Sequence, residues 1–176
     1  MTAPDQTAAG KTPADPVLTR LERVELDGEG LSGLTPLFDA DRKQAVADLT
    51  AGSHFEPLTR TGTPGPYVLY LSIRSGRLLF DVRDRHEAPL TAIGLALGPF
   101  HGLVKDYQLL VDSHIKAVQE GREARIQAID MGRRGLHNEG AELMRQRLAG
   151  KIEIDFDTAR RLFTLVCVLH HRVSAR

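Results

Sequence analysis

The chain has 176 residues, with 23 Lys and Arg against 23 Asp and Glu, one Cys and no Trp. That length suits one domain able to bury a core without cross-links, and a lone Cys excludes an intrachain disulfide framework. No run reaches the ~18 apolar residues a membrane-spanning helix needs. The opening MTAPDQTAAGKTPADP lacks the basic head and apolar stretch of a secretory signal, so the cytoplasm is the expected location and no membrane partner is expected.

Residues 1–16 hold three Pro and almost no large apolar side chain, too little to offset the entropy of ordering, and are expected to be a disordered tail before a single domain over 17–176. Val17 to Leu26 alternates as a strand does. Thr35 to Ala51 places Leu37, Phe38, Ala45, Val46 and Leu49 at helical spacing, with Asp39 or Asp41 available as a cap. Residues 52–65 carry Pro57, Pro64 and several Thr and Gly without a sustained period, which reads as a mobile flap or a loop with a task.

PYVLYLSIR and RLLFDVRD alternate around Ser75-Gly76. A two-residue link with Gly suits the hairpin turns whose twist matches paired strands, so residues 66–84 are expected to form a β-hairpin. Leu90 to Leu97 reads as a third strand, which makes this part of the sheet antiparallel. From Phe100 the period changes: Leu103, Val104, Tyr107, Leu110, Val111, Ile115 and Val118 follow steps of three and four, an amphipathic helix that Gly121 can end. Thr158 to His171 is apolar nearly all round, the mark of a central helix, with Asp155 or Asp157 to start it. The expected fold class is α+β, a small antiparallel sheet built on the 66–84 hairpin and neighbouring strands, packed against a carboxy-terminal helical layer.

Between these helices lies IQAIDMGRRGLHNEGAELMRQRLAG, in a carboxy-terminal third where 11 Lys and Arg face 7 Asp and Glu. Three Gly within nine residues would each cost roughly 1 kcal/mol in an unbroken helix. The pattern therefore predicts a helix over 122–134, a Gly-Leu-His turn, and a second helix capped by Asn138. Such a turn would gather Arg133, Arg134 and His137 beside the free N–H groups of a helix start, a common way to hold phosphate or carboxylate. Asp130, Asn138, Glu139 and, from the preceding helix, Lys105 complete the candidate binding set. The same pattern serves plain scaffolding: Asp130 and Arg134 are spaced to pair, and glycines let helices approach closely.

The stretches GPYVLYLSI, GRLLFDVRD, GPFHGLVKDY and IDMGRRGLHNEGAELMRQRLAGKIEIDFDTARRLFTLVCVLHHR resemble the alphaproteobacterial family known only as uncharacterised protein family 0262. The resemblance covers residues 17–172, with 129–170 its most specific part, and implies a small bacterial protein without implying an activity. The chain departs from the family pattern in its first 16 residues and around residues 51–65.

Other chemistry finds little local support. No His, Cys or carboxylate spacing suggests a metal site, and no cofactor motif is present. Cys167 sits in the most apolar helix and is expected to be an inert core residue. A DNA-binding surface is not expected, since the aromatic residues fall at core positions and acidic residues interrupt the basic ones. The expected function is a non-catalytic interaction or regulatory module that uses Asp130 to Glu139 to hold an anionic group on a protein or RNA partner. The alternative is an enzyme acting on a small anionic metabolite, with Arg133 and Arg134 as binders and His137 as acid or base.

Overall fold

The computed structural model describes residues 15–27, 34–58 and 62–174, with side chains as far as residue 171. The expected disordered tail lies, for residues 1–14, outside these. Asp15 accepts the Val17 N–H at 3.0 Å, and the chain then enters β1, Leu21–Leu26. Helix α1, Pro36–Ala51, follows. Its cap is Thr35, whose hydroxyl accepts the Phe38 N–H at 3.4 Å. Neither expected aspartate takes that role, because Pro36 at the first helical position fixes the start earlier. Asp39 instead pairs with Arg42 and Lys43 one turn on.

The hairpin forms as expected. β3, Tyr67–Arg74, and β4, Arg77–Arg83, pair antiparallel with Leu69 opposite Val82, Leu71 opposite Phe80 and Ile73 opposite Leu78. Ser75 and Gly76 both take positive φ, 51° and 70°, the paired left-handed geometry of a type I′ turn. β5, Pro89–Ala96, adds antiparallel to β4. The far edge differs from expectation: β1 runs parallel to β3, so the four-stranded sheet β1-β3-β4-β5 is mixed. The crossover through α1 brings the chain back in the same direction, which a tight hairpin cannot do. Leu69, Leu71, Leu78, Phe80, Val82 and Leu95 are buried on one face of this sheet. On the other, Arg83 lies over the Tyr70 ring and pairs with Asp81 and Glu87.

Helix α2, His101–Gln119, ends near Gly121, whose φ is 66°. Helix α3 then runs unbroken over Glu123–Leu148. The expected turn at residues 135–137 and the cap at Asn138 are absent, and the reason is tertiary. Gly140 sits against the Phe163 ring so closely that a β-carbon there would lie 2.3 Å from it. The glycine is thus needed for α3 to approach its neighbour, and burial against α4 offsets the propensity penalty.

Two short strands escaped sequence reading. β2, Phe55–Pro57, and β6, Ile152–Ile154, form a separate antiparallel pair that joins the expected loop to the α3–α4 connection. Helix α4, Phe156–Ser174, follows. Asp155 is its start signal, accepting the Thr158 N–H at 2.8 Å. Leu162, Phe163, Leu165, Val166, Val168 and Leu169 are all buried, and α4 packs against both α1 and α3, as a central helix should.

Candidate functional site

Because α3 is continuous, its candidate residues are dealt out around a helix at about 100° per residue. Arg133 and His137, four apart, share the face turned toward α1 and α4. Arg134, Asn138 and Glu139 are exposed on other faces, and none of the three makes an ion pair among the described residues. Asp130 faces α2, where His114 lies 3.9 Å away, and does not pair with Arg134. Lys105 lines a different, largely apolar cleft of about 380 Å³ with His101, Leu109, His170 and His171. The structure therefore brings two members of the expected set together and disperses the rest.

What gathers around Arg133 and His137 comes from three other helices. Asp41 of α1 accepts a short hydrogen bond from the Tyr107 hydroxyl of α2 and stands 3.5 Å from Nη1 of Arg133. The His137 ring stacks on Tyr107 with centroids 5.2 Å apart and meets Phe163 edge-on. From α4, Arg160, Arg161 and Thr164 join Asp41, Gln44, Asp48 and His137 to line a polar cleft of about 190 Å³. Arg161 pairs with Asp48 at 3.4 Å, and Thr164 donates to the Arg160 carbonyl at 3.1 Å. No ion pair engages Arg160 among the described residues. Its Nε and the Nε2 of His137 are both buried without a hydrogen-bond partner, a deficit that a bound group can satisfy.

The electrostatics follow from this packing. Burial first, and then the nearby Arg133 and Arg160 charges, lower the His137 pKa from 6.5 to about 4. The imidazole is neutral at pH 7. Tyr107 moves the other way: burial, then the Asp41 charge and hydrogen bond, push its phenol far above the ordinary value, so it remains a donor. Cys167 is completely buried and its thiol is raised by desolvation, an inert environment for sulfur.

Sequence reading did not place Asp41, Tyr107, Arg160 or Arg161 in the candidate site. A weak signal existed for two of them. Tyr107 is a phenol on an otherwise apolar stripe, and a buried hydroxyl needs a partner. Arg160-Arg161 is a cationic pair one turn into the most apolar helix, near the end where the helix dipole does not offset positive charge.

A second convergence lies elsewhere. His54, immediately before β2, Glu56 on β2 and Glu153 on β6 place potential ligand atoms within 4.8 Å of one another. The expectation that no metal-binding spacing exists considered only positions local in sequence, whereas this set joins residues almost a hundred apart.

Among known proteins, the model of an uncharacterised protein family, UPF0262, matches residues 18–172. The chain is similar to a UPF0262 protein of Granulibacter bethesdensis, 66% identical over 160 residues, covering 88% of this chain and 91% of that one. It is also similar to a UPF0262 protein of Acidiphilium cryptum, 57% identical over 153 residues, covering 87% and 93%. One from Maricaulis maris is 47% identical over 156 residues, covering 89% and 96%. No solved structure matches the chain. No helix among the described residues is long and apolar enough to cross a membrane.

Proposed function

The chain belongs to the uncharacterised protein family UPF0262, and from that premise we propose that it is a non-catalytic interaction module whose polar cleft between α1, α3 and α4 receives one anionic group carried by a protein partner. The observation that carries this reading is the pair of buried, unpartnered nitrogens, Arg160 Nε and His137 Nε2, at a cleft that also holds Arg161. A phosphoryl or carboxylate oxygen supplies the acceptor that the guanidinium lacks.

Size and charge select among the alternatives. At about 190 Å³ the cleft is smaller than the ~300 Å³ at which whole-metabolite pockets begin, so it suits one group with its carrier outside. Asp41 and Asp48 in the lining repel the continuous charge of a nucleic-acid backbone, which favours a protein as carrier. The enzymatic alternative is weakened at its proposed acid or base: a His137 pKa of about 4 is a poor match to proton transfer near neutrality. The lining offers no activated nucleophile either, and the one Cys is buried, with its thiol raised by desolvation and by the Asp41 charge.

Titration with inorganic phosphate and with phosphoserine, read on the His137 imidazole resonances, tests the reading. Both anions are expected to shift those resonances and raise the pH at which the ring protonates. An Arg160→Ala, Arg161→Ala double variant is expected to lose the effect and to lose its partners in a pulldown read by mass spectrometry. Unmoved resonances, or a partner profile unchanged by the double substitution, would overturn it.

A further inference from the structure

We propose that His54, Glu56 and Glu153 form a binding site for one divalent first-row transition metal ion of the Mn²⁺, Fe²⁺ or Zn²⁺ class. The β2–β6 pair builds it. In this two-stranded sheet Phe55 faces Ile154, Glu56 faces Glu153 and Pro57 faces Ile152. Alternation sends Phe55, Ile152 and Ile154 into the core, where all three are buried, and turns the paired glutamates to the opposite face. His54 precedes Glu56 by two positions, one strand repeat, and so shares their side. The resulting ligand atoms all lie within 4.8 Å of one another. First-row ions bind such atoms at about 2.0–2.2 Å, so a modest rotation of the glutamate side chains closes the set around one ion.

Two features separate this cluster from an ordinary acidic surface. Like charges placed directly across a strand pair repel and destabilise the pairing, yet Glu56 and Glu153 face each other and make no ion pair among the described residues. A divalent cation cancels both charges. The third member is an imidazole, which suits transition metals and argues against Mg²⁺ or Ca²⁺, whose ligands are oxygen. The scaffold is also held in place. The His54 N–H donates to Thr158 Oγ1 at 3.0 Å and the Leu58 N–H to the Lys151 carbonyl at 2.9 Å. Glu153 further borders an open cleft of about 300 Å³ beside Arg145, which leaves coordination positions on the ion accessible to water or an anionic ligand. None of these three residues lines the polar cleft, so this site and the anion-binding one stand or fall separately.

The test uses the full chain without an affinity tag, stripped with chelator and titrated with Mn²⁺, Zn²⁺ and, as a coloured stand-in, Co²⁺. One equivalent is expected to bind with affinity tighter than millimolar and to raise the melting temperature. Glu153→Gln and His54→Asn are each expected to weaken binding about tenfold or more, whereas His101→Asn, on α2, leaves it unchanged. Glu153 is exposed, so its substitution carries little risk to folding; removing the like-charge pair is expected to keep or raise the metal-free melting temperature while abolishing the metal-induced rise. Absence of saturable binding by all three ions, or binding that Glu153→Gln and His54→Asn leave intact, overturns the proposal.

Discussion

Along α4 every residue from Leu162 to Leu169 is buried, whereas α3, at 26 residues against 19, buries only Ile129, Gly140, Ala141, Met144 and Leu148. The first helix is specified by its own apolar surface. The second contains three glycines and exposes most of its circumference, and it holds together because its buried side docks on the first. Side chains that belong to neither core nor open solvent collect where the two meet near α1: Arg133 and His137 from α3, Arg160 and Arg161 from α4. The difference teaches that a helix of poor propensity can run unbroken through its partner, and that its candidate chemistry then lies on the docking face and not at a turn.

The largest expected way to disturb that docking is pH. His137 has a pKa of about 4 in the fold against 6.5 for a free imidazole, so between these values the unfolded chain binds more protons than the folded one. Stability therefore rises with pH through that window and is lost as pH falls through it, by on the order of 3 kcal/mol from this group. Urea unfolding of wild type and His137→Gln from pH 7.5 down to 4.5 checks it: the variant should show the shallower dependence, and equal slopes would remove His137 from the account.

Gly140→Ala comes next. A β-carbon at 2.3 Å from the Phe163 ring must displace it, an overpacking defect of ~1–3 kcal/mol. Gly135→Ala sharpens the comparison from the other side. Nothing lies within 4 Å of a β-carbon there, so the substitution should stabilise α3 by about 0.8–1 kcal/mol. Melting curves of the two variants should move in opposite directions. If both fall, α3 is broken near residue 135 in solution, and the turn expected from sequence returns.

Where the sequence was readable, a local rule governed the outcome. The alternation of residues 66–84 around Ser75-Gly76 needs only its own turn to fix register, and the apolar circumference of α4 leaves it only a central position. Where reading failed, the cause was either a nearer local competitor or an atom far along the chain. Thr35 and Pro36 outcompeted the aspartates for the α1 cap, a local error. In contrast, β2 and β6 are three-residue strands that mean nothing apart. The candidate site was half legible: of the residues singled out, Arg133 and His137 do share one face of α3, whereas Arg134, Asn138 and Glu139 were grouped with them on the assumption of a turn and are exposed elsewhere.

From residue order alone came the α+β class, the hairpin, the amphipathic α2, the central α4 and a concentration of cationic residues in the carboxy-terminal third. Each depends on periodicity or turn chemistry within one segment, where the interactions that decide are a few residues apart. Only the three-dimensional fold could decide that β1 joins β3 in parallel, that α3 is continuous, and that Asp41, Tyr107, His137 and Arg160 converge while His54, Glu56 and Glu153 assemble elsewhere. These outcomes depend on which faces bury one another, and burial is a property of the packed chain as a whole, with an energy that no short window of sequence contains.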